Sequence, residues 1–361
     1  MSRGSIKKDE LDRLFHFRDN INPEELPLYP VYDPDYDGEE YRDWGDESDW
    51  YIWAVQDDEL TRLRGWPSEN IYFGTEATSW RDVHSKFFEF YIQCAMFRDT
   101  STLVNMLLSD LRHLSSSMAQ IGLFDYLIQE GNSNSTHFIK TEIEYILTTC
   151  RSMYETLQKV IRNTWDRVEL QDGGGTNTLS KKFSSMALHG DDPVEVDQLT
   201  EDYGIPEEFA EYYVDAAEPF AKIRDARDSI VHHGKTVGPI FRSSSGLGVS
   251  TDDPVLHYFE NEWDSEHISE NKVAPLWPVL AYIIRESIRA MNKFVDSITD
   301  LVKFPEQMAP EHIVFIRGES IEYLANLNYL METDPWGVYL REDARQLYID
   351  DERQLVDQSP V

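Results

Sequence analysis

The feature that most constrains the fold is a helical spacing of apolar residues over most of the chain between residues 79 and 304. Apolar side chains recur there every three or four positions, so that each helix would bury one face and expose the other. In the stretch 138–168, the buried face is predicted to contain Ile139, Ile143, Ile146, Leu147, Cys150, Tyr154, Leu157 and Ile161. Amphipathic helices of this length pack against one another, which predicts an all-α helical bundle.

Capping residues set the limits of the predicted helices. Ser79, with Asp82 three residues later, indicates a helix start near residue 79. Pro206 indicates a second start, and Gly234 indicates where that helix stops. The predicted helices begin near 79 and cover about 101–129 (as one helix or a pair of helices), 138–168, 179–188, 206–231 and 278–304, with a loop or β-hairpin at 237–260.

Two acidic flanks are predicted to lie outside the bundle. Residues 1–60 contain 18 acidic and 6 basic side chains, and residues 305–361 contain 12 and 4. Four prolines between residues 23 and 34 favour irregular backbone in the first flank. We therefore predict an irregular acidic N-terminal extension at 1–78, the helical bundle at 79–304, and a small α/β C-terminal segment at 305–361.

The C-terminal segment combines two patterns. His312–Arg317 and Trp336–Arg341 are strand-like runs, and the residues from Glu319 to Met331 have helical spacing. Since strand and helix patterns alternate here, a small α/β appendage to the bundle is predicted.

The net charge of the chain is −34, from 67 acidic and 33 basic side chains, of which only 12 are lysines. We interpret this surface as an adaptation to molar salt, where repulsion between carboxylates is screened over about 3 Å. An acidic protein from an ordinary cytoplasm is the alternative. In either case the negative charge reflects the solvent conditions and not a basic binding partner, and it does not exclude a nucleic-acid substrate.

The predicted cellular compartment depends on the small number of cysteines and the absence of long apolar runs. Cys94 and Cys150 are the only cysteines, which excludes a disulfide-stapled scaffold and favours a reducing compartment. No apolar run approaches the roughly 18–20 residues that a membrane span requires, and the first residues have no apolar signal stretch. We predict a cytoplasmic protein without a membrane partner.

One segment concentrates residues that carry chemistry. It reads Arg224-Asp-Ala-Arg227-Asp228-Ser-Ile-Val-His232-His233-Gly234 and lies at the end of the predicted helix 206–231. Asp228 and His232 are four residues apart and share a helix face, so the carboxylate could accept from an imidazole N–H. Arg227 and His232 lie about 140° apart on an ideal helix. They can face one site if the final turn frays or tightens.

This segment resembles the HEPN superfamily, whose hallmark is Arg, four to six residues, then His at the end of a core helix in a helical bundle. The matching residues are Arg227 and His232, and Asp228 stands where many members have Asn or His. The specific part covers about eleven residues, and the order of helices over 79–304 is also similar. The resemblance implies a HEPN-like bundle that forms a homodimer with two motifs meeting across a two-fold axis.

The resemblance also implies an activity, which is metal-independent cleavage of RNA. His232 would act as general acid/base, and Arg227 would stabilise the phosphoryl transition state. Arg224 and His233 would assist phosphate contact, and a 2′,3′-cyclic phosphate would be the product. The family setting further suggests a toxin or defence role with an antitoxin-type partner.

A non-enzymatic function is the alternative. Arg224 and Asp228 also form an ordinary i,i+4 pair, and related bundles serve as dimerisation or interaction modules. No metal or cofactor is predicted. His257, Glu260, Asp264 and His267 lie in a polar, loop-like stretch, and an EF-hand-like run from Asp33 has Trp44 where the chelating Glu belongs.

Overall fold

The long helices lie close to where the apolar periodicity predicts them. The computed structural model describes residues 5–7, 28–32, 50–56, 59–63, 70–77, 82–95, 98–132, 134–171, 177–305, 307–317 and 321–340. Contacts divide the chain into two compact units. One contains residues 1–84 and 307–322, and the other contains residues 85–306 and 323–361.

The first unit consists of two antiparallel sheets in its described part. Strands β1 (Ser5–Lys7), β2 (Leu28–Tyr32), β3 (Trp50–Gln56) and β4 (Glu59–Leu63) form one sheet in the order β1-β4-β3-β2. The second sheet contains β5 (Asn70–Gly74), β6 (Val83–His84) and a later strand, Ile313–Arg317, which lies between them.

The irregular backbone predicted for 1–78 is therefore wrong where the chain is described. The prolines do not prevent strand formation, since Pro30 occupies the edge strand β2, where a missing N–H is tolerated. The run of apolar and aromatic residues from Trp50 to Val55 is the stronger strand signal, and β3 pairs directly with β4.

The second unit contains the helices. They are α1 (Lys86–Phe90), continued by a π-helical turn Tyr91–Ala95, α2 (Arg98–Gln129), α3 (Ser135–Trp165), α4 (Ser184–Ala187), α5 (Val196–Tyr203), α6 (Glu207–Val231), α7 (Trp277–Thr299) and α8 (Leu327–Glu332). Helix α3 is central, because it packs against α2, α6 and α7. Aromatic rings fill this core, among them Tyr154, Phe183, Phe209, Phe220 and Phe294.

Short strands and turns complete this unit. They are β7 (Leu188–His189), β8 (Asp192–Pro193), β9 (Phe241–Arg242), β10 (Leu247–Ser250) and β11 (Val273–Pro275), with 3-10 turns at Leu256–Glu262, Ser265–His267 and Glu322–Asn326. The described chain is thus mainly helical, as predicted, with small sheets added. Of the two alternatives for 237–260, a loop or a β-hairpin, the structure has the hairpin, since β9 and β10 are antiparallel partners.

Three local predictions require correction. The first helix begins at Lys86 and not near Ser79, since Asp82 precedes strand β6; Ser79 itself is outside the described residues. Only Ser184–Ala187 is helical within the predicted helix 179–188. The run predicted as a strand at 336–341 turns at Gly337, where φ is 68°, and residues 338–340 form a helical turn.

The predicted C-terminal segment is divided between the units. Strand β12 (Ile313–Arg317), predicted as part of 312–317, pairs with β5 and β6. Residues 323–340, which include α8, belong to the helical unit. The segment predicted as one piece at 305–361 therefore contributes to both units.

We expect Gly337→Ala to destabilise the helical unit strongly. An alanine Cβ there would lie 1.9 Å from Nε1 of the fully buried Trp277. Gly190 has nearly the same φ, 69°, with no atom within 4 Å of such a Cβ. Gly190→Ala is therefore the matched control, and it should cost only the left-handed strain of about 1–2 kcal/mol. Gly337→Ala should lower the free energy of unfolding by about 1–3 kcal/mol more, measured by urea denaturation. Equal losses in the two variants would contradict the clash.

Candidate functional site

The candidate site is built on the C-terminal end of α6. This helix follows Pro206, as predicted, and its first turn contains Glu207 and Glu208, which complement the helix dipole. It ends at Val231, and the N–H of His232 donates to the Asp228 carbonyl at 2.9 Å.

The helix stops where the glycine predicted it. Gly234 has a φ of 63°, a left-handed conformation that glycine adopts without penalty. The N–H of the next residue, Lys235, donates to the Ser229 carbonyl at 3.0 Å and closes the last turn. His232 and His233 are therefore presented at the helix end, and both side chains are exposed.

Asp228 is the residue that brings Arg227 and His232 together. Its Oδ1 accepts a hydrogen bond from Arg227 Nη1 at 2.8 Å. The same oxygen lies 3.8 Å from His232 Nε2, which is an ion-pair separation and too long for a hydrogen bond. The guanidinium and the imidazole thus meet at one carboxylate oxygen, although their positions are far apart around the helix.

Exposure differs among these three side chains. His232 is 62% exposed, whereas Arg227 and Asp228 are about half as accessible, at 29% and 34%. Arg227 Nε is buried and has no hydrogen-bond partner among the described residues. A solute can therefore reach the imidazole directly, and it would contact the guanidinium from one side.

Arg224 and His233, the two predicted helpers, differ in what surrounds them. Arg224 is largely buried and donates from Nε to Asp225 Oδ1 at 2.7 Å and from Nη2 to Asp191 Oδ1 at 3.0 Å. Burial lowers the pKa of this guanidinium, but hydrogen bonds and charge from Asp225 and Asp191 outweigh it and raise the pKa above its usual value. Arg224 is thus already bound to two carboxylates, whereas His233 is exposed at the helix end.

The structure adds neighbours that the sequence did not indicate. Tyr258, in the 3-10 turn Leu256–Glu262, places its hydroxyl 3.1 Å from Ser229 Oγ, one turn before His232. The Tyr258 ring lies against His257, with ring centroids 4.0 Å apart. These residues are about thirty positions from the motif, so local sequence patterns contained no signal for the contact.

The stretch considered for metal binding has local partners instead. His257 Nδ1 lies 2.9 Å from the Asp253 carbonyl, and Asp264 Oδ1 accepts from the Glu266 N–H at 3.0 Å. Within the described ranges, no three His, Cys, Asp or Glu side chains are grouped so that they could hold a metal ion. The EF-hand-like run from Asp33 to Trp44 lies outside the described residues.

The chain was also compared with known proteins and examined for membrane spans. No family model matches it, and no curated protein or solved structure is similar enough to count as a match. None of the helices in the described part combines the length and apolarity needed to cross a bilayer.

Proposed function

We propose that this protein cleaves single-stranded RNA without a metal ion, with His232 as general acid/base and Arg227 as the stabiliser of phosphoryl charge. One observation supports the proposal most directly: both side chains meet at Asp228 Oδ1 on a solvent-accessible helix end. The HEPN-like spacing of Arg227 and His232 supports the same chemistry. A HEPN-like bundle and a homodimer that pairs two such motifs are part of this proposal.

The proposed reaction needs a proton carrier and a cation. The ribose 2′-oxygen attacks phosphorus, forming the P–O2′ bond while the P–O5′ bond breaks. The proton leaves the 2′-hydroxyl, and a proton is delivered to the departing 5′-oxygen, so the products are a 2′,3′-cyclic phosphate and a 5′-hydroxyl. An exposed imidazole can carry out either proton transfer, and a planar guanidinium matches the phosphoryl oxygens.

Asp228 would be a positioning residue in this scheme. It already holds Arg227 at 2.8 Å, and that bond orients the guanidinium toward the side of His232. When the imidazole is protonated, the carboxylate can also attract it through the 3.8 Å ion pair. Asp228 would therefore keep the two functional groups at one place without contacting the substrate.

The proposal is tested by comparing two substrates, a single-stranded RNA and the same oligonucleotide made with 2′-deoxyribose. We expect the full-length protein, in EDTA and KCl, to convert a single-stranded RNA into fragments ending in 2′,3′-cyclic phosphate. The same oligonucleotide with 2′-deoxyribose throughout should stay intact, because it has no nucleophile. His232→Ala protein purified in parallel controls for contaminating nucleases. Absence of cleavage by the folded wild type would refute the proposal and favour the non-catalytic interaction module. Cleavage of both oligonucleotides would refute the attack by the 2′-oxygen.

Asp191→Asn is expected to improve phosphate binding at this site. Asp191 is almost fully exposed and pairs with Arg224 Nη2 at 3.0 Å. Without the charge of Asp191, a phosphate would compete more easily for Arg224, and RNA would be repelled less. We therefore expect KM to fall about 2–5-fold at low salt, with little change in kcat.

Steady-state kinetics at two KCl concentrations check this prediction. Asp252→Asn is the control, since Asp252 is also exposed and ion-paired, with Lys272 at 2.8 Å. An equal decrease of KM in both variants would indicate a general charge effect and contradict a specific role for Arg224.

A further inference from the structure

An aromatic pair lies beside the proposed site. The rings of His257 and Tyr258 are 4.0 Å apart between centroids and inclined by 35°. Neither ring is fully buried. The Tyr258 hydroxyl contacts Ser229 Oγ at 3.1 Å, and Ser229 is the residue that follows Asp228. The pair is thus attached directly to the turn that presents His232.

A second anchor connects the pair to the segment that follows α6. The carbonyl of Asp253 accepts a hydrogen bond from His257 Nδ1 at 2.9 Å. The side chain of this buried aspartate accepts from the N–H groups of Val255 at 2.8 Å and of Gly238 at 2.7 Å. Gly238 lies just beyond the glycine that ends α6. The aromatic pair is therefore connected to the chain both before and after His232.

The bond to the Asp253 carbonyl also fixes the tautomer of the neutral His257 ring. A carbonyl can only accept, so Nδ1 carries a hydrogen and Nε2 of the neutral ring is an acceptor. Both rings are consequently held in place before any ligand arrives, which reduces the conformational entropy lost on binding. A preformed aromatic surface next to a cation is the arrangement that binds unpaired nucleotides by stacking.

We infer that His257 and Tyr258 form a stacking platform for a nucleobase adjacent to the phosphate that Arg227 and His232 would contact. This inference rests on the proposed function, and it specifies the substrate as an unpaired nucleotide. Bases within a duplex are stacked on their neighbours and cannot occupy the platform. His257 Nε2 gives the platform an acceptor for a base N–H, in addition to its aromatic surface.

Binding of an uncleavable RNA separates the platform from catalysis. The probe is a fluorescein-labelled 2′-O-methyl oligouridylate, whose affinity is measured by anisotropy in EDTA. We expect Tyr258→Ala to weaken binding about 5–150-fold, the range for loss of one base–aromatic stack. Tyr258→Phe keeps the ring and should bind within about 3-fold of the wild type. Tyr145→Ala, which removes an exposed tyrosine from α3, should have no effect.

A second measurement needs no variant. An oligonucleotide of the same length with abasic positions keeps every phosphate but offers no base, so the wild type should bind it more weakly by a similar factor. Equal affinities of the wild type for both oligonucleotides would overturn the platform. So would equal loss in Tyr258→Phe and Tyr258→Ala, because the hydroxyl and not the ring would then matter.

The two proposals fail in different ways. Binding that depends on Tyr258, without cleavage of ordinary RNA, would refute the nuclease and leave the platform as part of an RNA-binding protein. Cleavage of ordinary RNA, with binding insensitive to Tyr258→Ala, would refute the platform and leave the nuclease. Absence of binding by the folded wild type overturns the platform whatever the cleavage assay gives.

Discussion

Alanine in place of His232 is expected to lower kcat for RNA cleavage by about 10²–10⁴-fold, the usual contribution of a general acid/base. The side chain is 62% exposed and makes no hydrogen bond shown among the described residues, so folding should be unaffected. KM should change little, because the phosphate contacts assigned to Arg227 and the base contacts assigned to Tyr258 remain. Initial rates in EDTA, over a range of RNA concentrations, separate the two parameters.

The matched control is His113→Ala. His113 is also an exposed histidine, but it lies on α2 near Tyr145, away from the α6 motif. Its replacement should leave kcat unchanged. If His232→Ala keeps more than a tenth of the wild-type kcat, His232 is not the general acid/base. If both variants lose activity equally, the loss is not specific to the motif.

Helices were predictable because their information is local. The periodicity of α2 and α3 predicts each within a few residues of its observed limits, and Pro206 and Gly234 mark both ends of α6. Each of these signals acts over one or two helical turns, so neighbouring residues are sufficient to interpret it.

The sheets were less predictable because their partners are distant. Strand β12 pairs with β5 and β6, more than two hundred residues earlier in the chain. A periodicity of two indicates a strand but not its partner. In the sequence alone Pro30 favours irregular backbone, and only the edge position of β2 makes this proline compatible with a strand. The turn at Gly337 is similar, since its shape follows from packing against Trp277.

The same difference between local and distant contacts applies to the candidate site. The four-residue separation of Asp228 and His232 predicts their proximity, because it is a property of one helix. Asp191 and Tyr258 contact α6 from two different loops, and they determine which guanidinium is bound and which aromatic ring is adjacent. The sequence therefore predicts the groups that would do the chemistry better than the groups that surround them.

Stability, in contrast, should depend strongly on one ion pair outside the motif. We expect Arg242→Ala to lower the free energy of unfolding by about 3–5 kcal/mol. Arg242 Nε donates to Asp125 Oδ1 at 2.9 Å, and Asp125 is only 1% exposed. The same guanidinium donates to the Ser243 carbonyl at 2.9 Å and to Gln129 Oε1 at 3.3 Å, so it joins strand β9 to helix α2.

The expected cost comes mainly from the carboxylate that stays behind. Without the guanidinium, a carboxylate that is nearly excluded from water loses a charged partner, and a buried charge that is less compensated is more costly than the buried pair. Lys272→Ala is the control, because Lys272 and Asp252 form a pair of similar length, 2.8 Å, with both side chains about two-thirds exposed. That variant should lose far less stability than Arg242→Ala, because water already solvates both charges.

A double variant identifies the cause. In Asp125→Asn with Arg242→Ala, the buried charge is removed together with its partner, so the protein should recover much of the stability lost by Arg242→Ala alone. Urea denaturation of the four proteins gives the coupling energy between the two positions. If the double variant is less stable than Arg242→Ala by the full effect of Asp125→Asn, the two residues act independently, and the loss would have to come from the bonds that Arg242 makes to Ser243 and Gln129.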